Sequence, residues 1–181
     1  MPRMQTMTFR IEDYIRDVPD FPKKGVVFKD ISPLLGNAEA FKDVIDRLAR
    51  AVRGKGITKV VSAESRGFIF GSALAYVLGA GFVMLRKPGK LPWKTEKQEF
   101  KTEYSTDAFE VHTDALKKGD IVVIVDDVLA TGGTARAAIE LSRRLKARVA
   151  AAMFILELEF LKGRSKLDDL GVEIVSLVKS S

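Results

Sequence analysis

The fold is decided by one stretch of the chain, Ile121-Val122-Val123-Ile124-Val125-Asp126-Asp127-Val128-Leu129-Ala130-Thr131-Gly132-Gly133-Thr134. Its first five residues are aliphatic and mostly β-branched, which is typical of a strand buried on both faces of a parallel sheet. Two carboxylates end this run, a short loop with two glycines follows, and an alanine-rich segment with helical spacing comes next. Because open α/β sheets bind ligands at the carboxyl ends of their strands, this order predicts a ligand site here.

The loop after the acidic pair, Ala130 to Thr134, has the composition of a phosphate-binding loop. Gly132 and Gly133 lack a Cβ, so their backbone amides can close around an anion. Thr131 and Thr134 add hydroxyl donors, and the following helix directs its positive amino-terminal end at the same point. The spacing matches neither a Walker A loop nor a G-x-G-x-x-G fingerprint. A plain helix start with Thr134 as N-cap is the simpler alternative, but it leaves the acidic pair unexplained.

The acidic pair restricts the kind of ligand that this loop can bind. Carboxylates repel a bare phosphate, so the ligand must also carry hydroxyl groups or a bound cation. A ribose 5-phosphate meets this requirement, since its phosphate can lie in the loop while its diol contacts the acids. We therefore expect Asp126 and Asp127 to hold the ribose, and the residues Ala130, Thr131, Gly132, Gly133 and Thr134 to hold the 5′-phosphate.

Composition limits the class of protein. The 181 residues suffice for one domain with a sizeable core. The net charge of +6 comes from scattered Lys and Arg rather than a basic block, which argues against nucleic-acid binding. No apolar run reaches membrane-spanning length and no signal-peptide core is present. Cysteine is absent. We expect a cytoplasmic globular protein that binds neither nucleic acid nor membrane.

Strand and helix patterns alternate along the chain, which predicts an α/β fold with a parallel sheet flanked by helices. Strands are predicted over 59–63, 81–85, 121–125, 148–156 and 172–178, and helices over 9–18, 38–53, 68–78, 134–146 and 160–170. An irregular apolar stretch is expected at 21–35 and a hairpin outside the main sheet between 94 and 112. His112, the single histidine, is interpreted as a surface residue.

Two further loops follow predicted strands and carry cations. In Glu64-Ser65-Arg66-Gly67, the Arg66 side chain can clamp a pyrophosphate, and the amides of Ser65 and Arg66 can add donors. Arg86-Lys87-Pro88-Gly89-Lys90-Leu91-Pro92 combines three cations with residues that break regular structure, as in a lid that closes over a polyanion. The alternatives are an ordinary strand-to-helix turn and a solvated basic loop.

These motifs occur in a fixed order with two others. Phe21-Pro22-Lys23-Lys24-Gly25-Val26-Val27-Phe28-Lys29-Asp30-Ile31-Ser32-Pro33-Leu34-Leu35 precedes them, and Glu103-Tyr104 follows the basic loop. Val-Asp-Asp-Val-Leu-Ala-Thr-Gly-Gly-Thr at 125–134 resembles the phosphoribosyl pyrophosphate loop of type I phosphoribosyltransferases. Together the segments resemble the adenine phosphoribosyltransferases within that family, and the likeness covers nearly the whole chain.

The resemblance implies a reaction and a site. That family joins adenine to phosphoribosyl pyrophosphate in purine salvage, giving AMP and pyrophosphate with the help of Mg²⁺. It implies a homodimer and a single domain over residues 1–181, with a small hood over the base formed by about residues 1–36 and part of the C-terminal region. Mg²⁺ would be held mainly by substrate oxygens and water near Asp126 and Asp127, without direct protein ligands.

The resemblance also implies roles for particular residues. Phe28 stacks on adenine, the backbone of Val27 and Lys29 reads the purine edge, and Leu158 covers the other face. Pyrophosphate is bound by Ser65, Arg66, Arg86, Lys87 and Lys90. Glu103 moves the proton of the purine. Two alternatives stay open at this point: a ligand-sensing regulator with the same fold, and a phosphoribosyltransferase for another base such as xanthine or orotate.

Overall fold

A computed structural model describes residues 9–101 and 106–181. The chain divides into two compact units, one ending at Arg47 and the other running from Leu48 to Ser181. The elements of the larger unit are β3 (Lys59–Ala63), α3 (Gly67–Leu78), β4 (Gly81–Leu85), β5 (Thr95–Lys101), β6 (Thr106–His112), β7 (Ile121–Leu129), α4 (Gly133–Arg144), β8 (Arg148–Leu158) and β9 (Glu173–Ser180). It is built on a five-stranded parallel sheet in the order β4-β3-β7-β8-β9.

The central strand β7 lies in a buried core, as its aliphatic run predicts. Val122, Val123 and Val125 are fully buried, and the predicted parallel sheet flanked by helices is confirmed. The strand is longer than predicted, however, and continues through Leu129. It continues because β8 runs alongside it and pairs Asp126 with Phe154 and Leu129 with Glu157. The acidic pair therefore lies inside the end of a strand, where backbone pairing fixes its position, and not in the loop.

The predicted hairpin is confirmed: β5 and β6 form a separate antiparallel two-stranded sheet. Phe100 and Phe109 stack within it, with their ring centroids 5.0 Å apart. The guanidinium of Arg144 on α4 donates a hydrogen bond to the carbonyl of Lys97 at 2.8 Å. His112 ends the hairpin only partly exposed, with its Nε2 buried, so its interpretation as a surface residue is wrong.

Helix α3 can pack closely on the sheet because glycine occupies two positions where it meets the strands. A Cβ at Gly71 would overlap the hydroxyl of Ser62 on β3, and a Cβ at Gly67 would lie 2.7 Å from an Asp126 carboxylate oxygen. Ser62 is itself fully buried. The two glycines thus allow the close approach of α3 to β3 and to β7, the strand that carries the acids.

The smaller unit contains a 3₁₀ helix at Ile11–Tyr14, an antiparallel pair of strands and the start of a long helix. Its elements are β1 (Arg16–Pro19), β2 (Val27–Asp30), α1 (Ser32–Gly36) and α2 (Ala38–Ala51), the last of which continues past the unit boundary. The predicted helix over 9–18 is wrong, because its second half pairs as a strand with residues 27–30. The stretch at 21–35 is likewise not irregular, since it holds β2 and the start of α1.

Three other details refine the predicted elements. The side-chain oxygen of Asn37 accepts the amide of Ala40 at 2.9 Å, so Asn37 caps the start of α2. The helix predicted over 160–170 is instead a pair of 3₁₀ helices, Glu159–Leu161 and Gly163–Leu170. Among the described residues, every helix is too short or too polar to cross a membrane.

Candidate functional site

A polar cavity of about 220 Å³ lies in the larger unit where β3 and β7 end. Motifs that are far apart in sequence meet there, as the shared sheet edge predicts. Its lining residues are Glu64, Ser65, Arg66, Lys87, Phe100, Asp107, Phe109, Asp126, Asp127 and Thr134. The acidic pair, the Glu64–Arg66 turn, the basic loop and the start of α4 thus contribute to one site.

The acidic pair is held by a cation from the neighbouring strand. The Nε of Arg66 lies 2.8 Å from an Asp127 carboxylate oxygen, and Asp127 is largely buried. The Asp127 amide donates a hydrogen bond to the Asp126 carboxylate at 2.9 Å. Because Arg66 follows β3 and the acids end β7, the parallel pairing of these strands brings the three charges together.

The two carboxylates have unequal electrostatics. Burial raises the pKa of Asp126 well above its ordinary value, and the neighbouring charge of Asp127 raises it further. Arg66 acts in the opposite direction but is outweighed. One proton is therefore retained more readily at Asp126 than at an ordinary aspartate, and a ligand that donates hydrogen bonds or brings positive charge would favour its release.

The loop before α4 has the backbone shape that the sequence predicts. Gly132 has a φ of +82° and directly precedes the helix, which starts at Gly133. Thr134 lies within α4 and lines the cavity, so it is not the N-cap of the simpler alternative. The Gly132 carbonyl accepts the amide of Arg136 at 2.9 Å, so the first turn of α4 follows directly from the loop.

Gly163 is a residue of this site that sequence reasoning missed. It lies against the back of the loop, where a Cβ would overlap the Ala130 carbonyl oxygen and come within 2.9 Å of the Gly132 nitrogen. Conversely, a Cβ on Gly132 would overlap the Gly163 carbonyl oxygen, so the position that a Gly132 side chain would occupy is taken by the Gly163 backbone. Sequence reasoning had no signal for this contact, because the two glycines belong to separate loops with no shared periodicity.

The segment that carries Gly163 is itself fixed by two arginines. Arg164 binds the buried Glu157 carboxylate, with its Nε 2.9 Å from one carboxylate oxygen. The hydrogen bond from Arg164 lowers the pKa of Glu157 below its ordinary value, because it outweighs the opposite effect of burial. Arg136 on α4 forms a bidentate pair with Asp169 at 2.8 and 2.9 Å. The segment that packs against the phosphate loop is therefore fixed by ion pairs to both β8 and α4.

The basic loop is paired with carboxylates. Arg86 Nε lies 2.7 Å from one oxygen of Glu64, and Lys90 Nζ lies 3.1 Å from the other. Lys87 Nζ is 3.4 Å from Asp107. Ser65, Arg66 and Lys87 line the same cavity as the acids, whereas Arg86 and Lys90 are not among its lining residues, and their roles toward pyrophosphate stay predictions. Glu64 and Asp107 were not predicted to belong to the site.

The residues assigned to adenine binding belong to two different units of the chain. Val27, Phe28 and Lys29 form part of β2 in the smaller unit, where Phe28 packs edge-on against Phe21 at 5.2 Å. Leu158 ends β8 in the larger unit and is partly exposed. Glu103 lies outside the described residues. Their roles at the base stay predictions.

Comparison with known proteins agrees with the geometry. Residues 35–178 match the model of the phosphoribosyl transferase domain. An adenine phosphoribosyltransferase of Geobacter metallireducens is 54% identical over 159 residues, covering 88% of this chain and 93% of that protein. The crystal structure of adenine phosphoribosyltransferase from Thermoanaerobacter pseudethanolicus has a TM-score of 0.90 at 51% identity, covering 94% of this chain and 98% of that one. A Saccharomyces cerevisiae adenine phosphoribosyltransferase, solved with adenine and an imino-altritol bisphosphate, is 42% identical with a TM-score of 0.86, covering 92% and 96%.

The raised pKa of Asp126 predicts a stabilising substitution. Between the ordinary value of 3.8 and the raised folded value, the folded state holds the proton that the unfolded state loses, so stability falls as pH rises. Asp126→Asn removes this penalty and keeps an oxygen for the Asp127 amide. We expect its melting temperature to exceed that of the parent by about 2–4 °C at pH 8 and by less at pH 4.

Asp169→Asn is the matched control for this measurement. The hydrogen bond from Arg136 holds the pKa of Asp169 below its ordinary value, so its charge stabilises the fold above that value and the amide gives no gain at pH 8. Melting curves of both variants at the two pH values test the assignment. A lower melting temperature for Asp126→Asn than for the parent at pH 8 would contradict it.

The contact between Gly163 and the loop predicts a binding defect. Gly163→Ala forces the loop backbone at Ala130 and Gly132 to move, so a phosphate ester such as AMP should bind at least about tenfold more weakly by calorimetry. Gly36→Ala adds the same methyl group in open space and serves as the control. Unchanged AMP affinity in Gly163→Ala would show that the loop does not depend on this contact.

Proposed function

This chain belongs to the phosphoribosyltransferase family, and from that premise we propose that it makes AMP from adenine and phosphoribosyl pyrophosphate. Relatives at about half identity over most of their length carry the name adenine phosphoribosyltransferase. The chain is an enzyme that acts on small molecules, and its reaction transfers ribose 5-phosphate to N9 of adenine with release of pyrophosphate.

The observation that supports this function most directly is the charge arrangement of the cavity. Asp126 and Asp127 lie beside Arg66, and the positive end of α4 begins one loop further on. A sugar phosphate that carries a pyrophosphate has a diol for the acids and phosphates for the loop and the cations. Ala130, Thr131, Gly132, Gly133 and Thr134 bind the 5′-phosphate, with the helix dipole favouring its charge.

Transfer breaks the bond between the anomeric carbon and a pyrophosphate oxygen and forms the bond to N9. Positive charge develops on the ribose ring, which becomes oxocarbenium-like, and the acidic pair stabilises that charge. Ser65, Arg66, Arg86, Lys87 and Lys90 take up the negative charge of the departing pyrophosphate. Exclusion of water by the Arg86–Pro92 loop favours transfer to adenine over hydrolysis.

Adenine recognition is assigned to the residues that the sequence singled out. Phe28 stacks on the flat purine, which suits an aromatic ring on a partly exposed strand. The backbone of Val27 and Lys29 reads the purine edge. Leu158 contributes an apolar face. The Nζ of Lys29 lies 2.8 Å from Asp17, so its charge is already engaged and the backbone carries the recognition.

A divalent cation beside the acidic pair would be held mainly by substrate oxygens and water. Among the described residues, there is no cluster of three or more His, Cys, Asp or Glu side chains that could bind a metal by themselves. Mg²⁺ suits such a site because it keeps several waters and binds substrate phosphates, with Asp126 and Asp127 nearby. When bound, it neutralises pyrophosphate charge as that group leaves.

The enzyme works as a cytoplasmic homodimer. Support for a dimer comes from the outer face of α3, where large apolar side chains are exposed, including Tyr76 at 89% and Val77 at 52%. The neighbouring edge strand β4 adds Met84. Apolar patches of this kind are typical of protein interfaces. The mass in solution by light scattering tests this assignment, and a monomer at micromolar concentration would exclude it.

The substrate assignment is tested by turnover with five bases in parallel. We expect AMP formation with adenine to exceed formation of any nucleotide from guanine, hypoxanthine, xanthine or orotate by at least about a hundredfold, since mispaired polar groups in a closed base site are costly. Faster turnover with another base would assign a different phosphoribosyltransferase. Binding of phosphoribosyl pyrophosphate without turnover of any base would assign a ligand sensor.

Glu103 is the proposed acid–base residue. Adenine loses its N9 proton as N9 attacks, and a carboxylate near the purine can accept it. Glu103→Gln keeps the shape and removes the base, so turnover should fall at least about a hundredfold while phosphoribosyl pyrophosphate binding is retained. Glu99→Gln changes an exposed carboxylate on β5 and is the control. Activity of Glu103→Gln within a few-fold of the parent would end this assignment.

A further inference from the structure

The cations assigned to pyrophosphate are paired with carboxylates of the protein. Each pair lies within salt-bridge distance: Arg66 with Asp127 at 2.8 Å, Arg86 with Glu64 at 2.7 Å, Lys90 with Glu64 at 3.1 Å and Lys87 with Asp107 at 3.4 Å. A diphosphate that enters this cavity must therefore compete with internal carboxylates for the same N–H donors. Glu64 differs from the others because it occupies two cations at once.

The Glu64 carboxylate is firmly placed in the cavity. Its side chain is only 9% exposed and lines the same cavity as Ser65, Arg66 and the acidic pair. The Glu64 amide donates to the Leu85 carbonyl at 3.0 Å, which fixes its backbone where β3 ends. Burial alone would raise the pKa of Glu64, but the hydrogen bonds from Arg86 and Lys90 outweigh it and hold the pKa below its ordinary value.

The backbone of the basic loop is held by the hairpin as well as by Glu64. The amide of Arg86 donates to the Glu110 carbonyl at 2.9 Å, and the Glu110 amide donates back to Arg86 at 2.7 Å. The Glu110 carboxylate also accepts the amide of Gly89 at 3.1 Å. The hairpin therefore anchors the loop backbone at Arg86 and Gly89, while the Glu64 carboxylate accepts a backbone hydrogen bond from Lys87 and binds the charged ends of Arg86 and Lys90.

We propose that Glu64 is a positioning residue that takes the place of pyrophosphate in the empty site and promotes its release after transfer. Resting on the proposed function, this inference assigns Glu64 a competitive role. When pyrophosphate is bound, Arg86 and Lys90 contact its oxygens, and the Glu64 carboxylate faces an anion that repels it. When the product starts to leave, Glu64 recaptures both cations, which removes the contacts that would otherwise retain the product.

This role predicts an unusual direction of effect. Loss of an ordinary binding residue weakens binding, whereas loss of the Glu64 charge should strengthen the binding of pyrophosphate. Glu64→Gln isolates the charge, because the amide oxygen can still accept the Nε–H of Arg86. We expect the Kd of Mg²⁺-pyrophosphate, measured by calorimetry, to fall about three- to tenfold. The Kd of AMP should stay unchanged, because AMP lacks the group that contacts these cations.

Kinetics provide a second readout that a purely structural role would not move. In Glu64→Gln, slower product release should lower kcat and produce a burst of AMP in the first turnover, while the single-turnover rate stays near that of the parent. Glu173→Gln is the matched control, since Glu173 also pairs with a lysine, Lys55, but begins β9 at the opposite edge of the sheet. It should change neither affinity nor the burst.

The outcomes separate this inference from the proposed function. If the parent enzyme forms AMP and Glu64→Gln binds pyrophosphate with equal or lower affinity, the competitive role of Glu64 is wrong and the function stands. If the parent neither binds pyrophosphate nor transfers ribose, the proposed function itself fails. Glu64→Ala removes the same charge and should also bind pyrophosphate more tightly, so it decides the question if Glu64→Gln does not fold.

Discussion

The structure of the site depends on placing two adjacent carboxylates at the end of a buried strand. Such a pair is costly in a medium of low dielectric constant, and the protein reduces the cost with Arg66, which follows the neighbouring strand β3. That contact requires β3 and β7 to be parallel neighbours that end at the same edge. It also requires glycine at position 67, because a side chain there would collide with the Asp126 carboxylate.

The same balance of charge extends over the rest of the cavity. A cavity made only of cations would repel itself when empty, and a cavity made only of acids would not accept phosphates. Two cations, Arg66 and Lys87, and four acids, Glu64, Asp107, Asp126 and Asp127, line one cavity of about 220 Å³, and Arg66 and Lys87 are each paired with one of these acids. Binding then replaces existing ion pairs rather than burying new isolated charges, which keeps the electrostatic cost of each step small.

Much of this arrangement is predictable from sequence, for a physical reason. The aliphatic run at 121–125 and the acids and glycines after it are local signals, and the topology of parallel sheets gathers such strand ends at one edge. Interactions between distant segments gave no local signal. The pairing that makes residues 16–19 a strand, the contact of Gly163 with the loop and the partners of Glu64 each depend on a second segment. The helix predicted over 9–18 is wrong for this reason, because these residues form a 3₁₀ helix followed by a strand.

The back-to-back glycines at 132 and 163 have a consequence for redesign. The backbone around Gly163 lies directly behind the phosphate loop, and its segment is tied to β8 through the Arg164–Glu157 pair and to α4 through the Arg136–Asp169 pair. The position of the phosphate loop is thus limited by the segment after β8, some thirty residues further along the chain. Substitutions in residues 159–170 would therefore be needed to let the loop move back for a larger anionic group, because substitutions in the loop alone leave the segment behind it in place.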